Sequence, residues 1–193
     1  MAKTQLKLDL IELSKIISLC QSDEFLDKID TLGRDLIKSI KGGGKLITFG
    51  NGGSASESSH LATEILSRCS IDHPPWPAIS LPDFSSAMTA IGNDYGFDTV
   101  FERQVEALVK KEDIVIAFST SGSSKNVILG LQKASMQCSA VYLLTSKNYT
   151  HKPENNWKFI QIPSKKTTRI QEIHLLIIHY ISENCEMYLN DIE

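Results

Sequence analysis

The chain is poor in cysteine, and the four it has are scattered. Cys20, Cys69, Cys138 and Cys185 form no CxxC pair among the 193 residues. Neither a disulfide framework nor a thiolate zinc site is therefore expected, and a reducing, cytoplasmic setting is. Long hydrophobic runs are also missing, since nothing approaches the roughly 18 apolar residues that a membrane-spanning helix needs. The opening MAKTQLKLDLIELSKIISLC alternates charged and apolar side chains without an apolar core, so it does not read as a signal peptide. No sign of charge dominates: 20 Lys and Arg against 23 Asp and Glu leave a formal charge of −3. That balance offers no general attraction to nucleic acid or to an anionic membrane. The 11 Gly and 6 Pro are too few for a collagen-like or extensively disordered chain. What is present, 41% hydrophobic residues over this length, suits one soluble domain spanning 1–193 with a single sizeable core.

Leu6, Leu10, Leu13 and Ile17 form one helical stripe, and a second helix is predicted from Asp23 to Ile40 with Phe25, Ile29, Leu32 and Leu36 on its apolar side. Lys41-Gly42-Gly43-Gly44 ends it. Short apolar runs then alternate with helical patterns. Strands are predicted at Lys45–Phe49, Ala78–Leu81, Asp113–Phe118, Ala140–Leu144 and Phe159–Ile162. Helices are predicted at Ser54–Arg68, Phe84–Gly92, Phe101–Val109, Lys125–Gln137 and Thr168–Tyr188. The polar stretch Thr145–Trp157 reads as irregular. Alternating elements with strands apolar throughout predict an α/β fold: a three-layer sandwich whose central, mostly parallel sheet is flanked by helices on both faces, preceded by an N-terminal helical arm.

In such folds ligands sit at the carboxyl ends of strands, where helix N-termini point N–H donors at them. Two loops occupy that position. Ser119-Thr120-Ser121-Gly122-Ser123-Ser124 leaves the clearest strand and carries five hydroxyls around one glycine, which suits a cradle for a phosphate monoester. It lacks the GKS/T ending of a Walker A loop. A Ser-rich turn with a helix cap is the alternative, but a cap needs one hydroxyl. Gly50-Asn51-Gly52-Gly53-Ser54-Ala55 matches G-x-G-x-x-A, the dinucleotide pattern, with Asp83 as the ribose acid although it lies further downstream than usual. The same glycines equally allow close backbone approach to a sugar, or simply a tight strand-to-helix turn.

His60 and Glu64 are four apart and so neighbours on one helical face, a pair able to contribute to a divalent metal site or to form an ordinary surface pair. The last helix carries Gln171, Glu172, His174 and His179 within an apolar segment. His179 follows Leu175-Leu176-Ile177-Ile178, and read alone it is better explained as a histidine satisfied inside the core. Gln171 and His179 are separated by about 12 Å along a helix axis, so holding one ion with both requires converging side chains or a second subunit.

FGNGGSASESSHLATE (Phe49–Glu64), AIGNDYGFDTVFERQVEAL (Ala90–Leu108), STSGSSKNV (Ser119–Val127) and RIQEIHLLIIH (Arg169–His179), in that order, resemble the sugar isomerase (SIS) family, and within it the phosphoheptose isomerases. The resemblance covers nearly the whole chain. It implies interconversion of sedoheptulose 7-phosphate and D-glycero-D-manno-heptose 7-phosphate through an enediol, opening a route to activated heptose for lipopolysaccharide or capsule. It implies one Zn²⁺ per subunit and a homotetramer with sites at subunit interfaces, to which the helices of 1–41 would contribute contacts. By motif, His60, Glu64, Gln171 and His179 would hold the metal, and Glu64 and His179 would be the acid–base pair. Asn51, Gly52, Gly53, Asn93 and Asp94 would contact the sugar, as would Glu64 and Gln171. Ser119, Thr120, Ser121 and Ser124 would bind the phosphate. The chemistry fits these residue types: an enediol route needs a base beside the carbon and an electrophile for the oxygens.

Two details depart from the pattern. Lys165-Lys166-Thr167-Thr168 stands where some members carry Asp immediately before the arginine, and Thr145–Trp157 lacks a glycine-rich stretch often found there. The rival from another class is a non-catalytic SIS-fold module that binds a phosphosugar or a protein such as the replication initiator. A relative of that kind lacks the equivalents of Glu64 and His179, and both are present here. A nicotinamide-dependent oxidoreductase rests only on Gly50–Ala55 and leaves the hydroxyl loop unexplained.

Overall fold

The computed structural model describes residues 2–149 and 157–190. Two helices lead in, α1 (Ala2–Leu19) and α2 (Asp23–Lys41). The second buries Ile29, Leu32 and Leu36 as its period predicts, with Asp23 and Glu24 in its first turn and Lys38 and Lys41 in its last, the polarity a helix dipole favours. Gly43, at φ +80°, turns the chain into the sheet. In α1 the helix is as expected but its buried side is not: Leu6 and Leu10 are exposed, and Ile16 is the residue that enters the core. The middle of α1 is tied down by polar contacts, Asp9 and Glu12 pairing with Lys166 and the Asp9 carbonyl accepting from Arg169, while Leu6 and Leu10 stay exposed.

The alternating elements follow in the predicted order: β1 (Leu46–Gly50), α3 (Gly53–Leu66), β2 (Ala78–Ser80), α4 (Ser85–Tyr95), α5 (Val100–Leu108), β3 (Ile114–Ser119), α6 (Lys125–Gln137), β4 (Ala140–Ser146), β5 (Lys158–Ile162) and α7 (Thr167–Leu189). Boundaries shift where local chemistry intervenes. Leu81 leaves β2 because Pro82 sets a 3-10 turn over Leu81–Asp83, and α4 runs on through Asn93 and Asp94. Of the stretch expected to be irregular, Thr145 and Ser146 instead extend β4, paired with Gln161 and Ile162, and 150–156 lies outside the described residues.

All five strands are parallel, in the order β2-β1-β3-β4-β5. Strand alternation divides the core in two. Leu46, Ile114, Ile116, Phe118, Tyr142 and Leu144 pack against α2, α3 and α7, while Ile47, Phe49, Val115, Ala117, Val141 and Leu143 pack against α5 and α6. The sandwich is therefore three-layered and doubly wound, as predicted. Successive connections leave β1 towards β2 on one side and β3 on the other, so the carboxyl ends of β1 and β3 flank the topological switch point. The glycine and hydroxyl loops emerge there side by side, with Gly50 in register with Phe118.

Candidate active site

The hydroxyl loop closes on itself, with Ser121 Oγ accepting the Ser123 N–H (3.2 Å) and the Ser123 hydroxyl (3.1 Å). Gly122 takes φ +69°, and its N–H donates to Ser119 O (3.1 Å) and Ser119 Oγ (3.2 Å). A side chain at 122 would strike the Tyr149 ring and Thr145 Oγ1, so glycine is required by space as well as by backbone. Ser124 is the N-cap of α6, yet its hydroxyl makes no capping bond. The cap of the Ser-rich-turn alternative is therefore absent, although Ser119 Oγ and Ser121 Oγ do accept turn N–H groups, both at 3.2 Å. Ser121 and Ser123 are exposed, Thr120 and Ser124 half-buried, and Thr120 lies 3.5 Å from Thr167 at the start of α7.

The glycine loop enters α3 through Gly52, at φ +57° and ψ −122°, a conformation only glycine holds easily. Beside it, a Cβ at Gly53 would lie 2.3 Å from Gln171 Nε2, so the amide of Gln171 rests directly on this loop. Asp83 is engaged elsewhere: its Oδ1 accepts the Ser59 hydroxyl at 2.5 Å, in a chain of hydroxyls with Ser80 and Ser58. The ribose-acid role drawn from the dinucleotide pattern has no support from that arrangement.

Further along, α3 and α7 bring three groups together. His60 Nε2 lies 2.8 Å from Glu64 Oε1, and the His179 ring stands edge-on to that of His60 with centroids 5.1 Å apart. One ligand atom from each of His60, Glu64 and His179 lies within 4.8 Å of the other two. Two imidazoles and a carboxylate at such separations fit zinc, whose catalytic sites take three protein ligands and keep one position open. The core-histidine reading of His179 is overturned, because His179 is exposed, whereas His174, on the same helix, is buried at 0% exposure. Its Nδ1 lies 3.3 Å from Glu57 Oε2, and its ring meets Phe118 edge-on. Gln171, on the glycine loop, sits about two helical turns from His179. Asn93 and Asp94 end α4, exposed and hydrogen-bonded to each other at 2.7 Å.

Several contributors escaped the sequence reading. Glu57 pairs with His174 between the two helices. Glu186, 1% exposed, accepts the backbone N–H groups of Cys69, Ser70 and Ile71, fixing the strap that leaves α3. Burial, and then the neighbouring Glu64 carboxylate, push the Cys69 thiol up to about 11. No sequence signal marked either glutamate, since small and polar residues, Ser54 and His60 beside Glu57 and Ser182 and Glu183 beside Glu186, share their helical faces.

The SIS domain profile matches residues 13–146. The chain belongs to the SIS domain family. Among SIS relatives, the phosphoheptose isomerase of Aquifex aeolicus is 44% identical over 149 residues, covering 77% of this chain and 78% of that protein. That of Solidesulfovibrio magneticus is 40% identical over 161 residues, covering 83% and 78%. Among solved SIS structures, phosphoheptose isomerase GmhA of Neisseria gonorrhoeae superposes with a TM-score of 0.86 at 29% identity, covering 96% of this chain and 99% of the other.

Proposed function

We propose that the protein is an aldose–ketose isomerase that interconverts sedoheptulose 7-phosphate and D-glycero-D-manno-heptose 7-phosphate. The observation that carries the reading is the convergence of His60, Glu64 and His179 from α3 and α7 in a fold that sets a hydroxyl-rich loop, with Ser121 and Ser123 exposed, at the carboxyl end of β3. The phosphoheptose isomerases similar to this chain support the substrate class. A binding-only module has no need for a carboxylate and two imidazoles within reach of one another, and is not favoured.

Thr120, Ser121, Ser124 and Ser119 hold the phosphate, with the N-terminal N–H groups of α6 behind them. Asn51, Gly52, Gly53 and Gln171 orient the sugar chain. Glu64 takes a proton from C1 of the ketose, exchanges it with solvent while the enediol is bound, and then protonates C2. His179 delivers a proton to O2 and removes one from O1, so that charge does not accumulate on either oxygen. His60, Glu64, His179 and Gln171 would hold one Zn²⁺, which when bound supplies electrophilic polarisation of the reacting oxygens.

The proposal extends to assembly. Leu6, Leu10 and Leu19 are exposed on α1, and an apolar cleft of about 410 Å³ lined by Ile17, Phe25, Leu26, Leu176, Ile177 and Tyr180 opens beside them. A homotetramer would cover these surfaces and bring Asn93 and Asp94 to a site completed between subunits. The reaction belongs in the cytoplasm, at the start of heptose supply for lipopolysaccharide or capsule. Nuclear magnetic resonance of the zinc-supplemented protein with sedoheptulose 7-phosphate in D₂O tests the reading. Aldose carrying deuterium at C2 is expected; tight binding without conversion would overturn it in favour of the binding module.

A further inference from the structure

The two ligand loops are clasped by a pair of amides. Asn51, just after β1, donates from Nδ2 to Asn126 Oδ1 at 2.8 Å, and Asn126, the second residue of α6, donates from Nδ2 to Asn51 Oδ1 at 3.0 Å. The backbone N–H of Val127 also donates to Asn126 Oδ1, at 2.9 Å. That third bond sets the direction of the other two. A backbone N–H can only donate, so the Asn126 atom beside it is the oxygen, and Asn51 must turn its nitrogen towards that oxygen. Asn126 is 3% exposed, so turning its amide over would leave buried donors facing one another. Asn51 is half-buried and keeps one N–H and one lone pair for a ligand.

We infer that Asn126 is a positioning residue for the sugar: it fixes the polarity of the Asn51 amide and holds the glycine loop in register with the hydroxyl loop. The inference rests on the isomerase reading, in which Asn51 contacts the sugar and the hydroxyl loop holds its phosphate. Gripping one substrate at both loops requires their separation to be constant, and the amide pair spans that separation directly. A purely structural role, stabilising the first turn of α6, would show in melting temperature and not in coupling to Asn51.

Asn126→Asp keeps the side-chain size and the oxygen that serves Val127, but replaces the donor to Asn51 with a second oxygen. Opposed oxygens then drive the Asn51 amide out of its orientation. Both Asn126→Asp and Asn126→Ala are expected to lower kcat/KM by about tenfold or more, as small displacements of positioning groups do. Melting temperature is expected to fall in both, by the cost of the unmatched buried groups, so the coupling to Asn51 and not the melting temperature separates positioning from a purely structural role. Adding Asn126→Ala to Asn51→Ala should cost nothing further, since the two act as one unit. Multiplying losses, or an unchanged kcat/KM in Asn126→Asp, would overturn the inference. Should Asn126→Ala not fold, Asn126→Asp, which retains the bond from Val127, carries the test. If the unaltered protein does not turn over the sugar phosphate, the isomerase reading fails by itself. The side-chain amide signals of Asn51 then decide the clasp: a shift and loss of exchange protection in Asn126→Asp support it, and unchanged signals refute it.

Discussion

The interface between α3 and α7 holds two carboxylate–imidazole groupings that look alike in sequence and differ in every physical respect. Near the start of α3, Glu57 and His174 meet in the core, at 9% and 0% exposure, with Glu57 Oε1 and His174 Nε2 lacking partners among the described residues. About two turns further along α3, Glu64 lies with His60 and His179 where side chains reach the surface. Burial makes the first pair a pin between helices, because separating it strands polar groups away from water. Access makes the second a site, because its ligand atoms can be shared with something outside the chain. Residue type alone does not assign the role; depth along the same two helices does.

Substitutions at the two ends should separate these roles. The largest effect is expected from Glu64→Gln, which removes the base while keeping size. Turnover should fall by about 10³-fold or more, with sugar-phosphate binding and circular dichroism nearly unchanged, and retained activity would take Glu64 out of the base role. His174→Ala should do the reverse of His179→Ala. Urea unfolding of His174→Ala is expected to show a loss of about 2–4 kcal/mol from the cavity and the unpaired Glu57. His179→Ala should unfold near the wild-type midpoint yet fail to turn over. Equal destabilisation by both would erase the contrast between pin and site. At the hydroxyl loop, Ser121→Ala combined with Ser124→Ala should raise KM by about tenfold and lower kcat less, since the phosphate is bound in ground and transition states alike. An unchanged KM would place the phosphate elsewhere.

The smallest effect belongs to an exposed counterpart far from the site. Burial alone would raise the Asp35 carboxyl, but hydrogen bonds from Lys158 (2.6 Å) and Tyr142 (2.5 Å) outweigh it and hold it below its ordinary 3.8. Its contribution is therefore present above pH 3.8 and lost as pH falls below it. Asp35→Asn should cost under about 1 kcal/mol at neutral pH, a partly exposed pair being screened. The difference from wild type should shrink as thermal melts are repeated at pH values below 3.8, and a constant difference would refute the assignment.

Much of the architecture was legible because its signals are local. Five apolar runs became five strands, and Lys125–Gln137 is a helix with the bounds its pattern predicts. The two loops were recognisable from glycine and hydroxyl content, and His60 with Glu64 from a spacing of four. What stayed hidden depends on which way a helix faces. In α7, with Leu175 and Leu176 exposed beside buried Ile177 and Ile178, apolar residues lie all round and no stripe marks the inner face. Hence periodicity alone made His179 a core residue, only the family resemblance put it in the site, and His174 drew no particular notice. In α1 the stripe was clear, but nothing local says whether a partner surface exists for it.

By itself, the order of residues determined the alternation of strands and helices and the chemistry carried by each connecting loop, since both follow from backbone preference and short-range periodicity. Only the packed structure decided which imidazole meets Glu64, that Asn51 is clasped by Asn126, and that Gln171 rests on Gly53. Those pairings join segments 75 to more than 100 residues apart, and no interaction brings them together until the sheet and its two helical layers have closed.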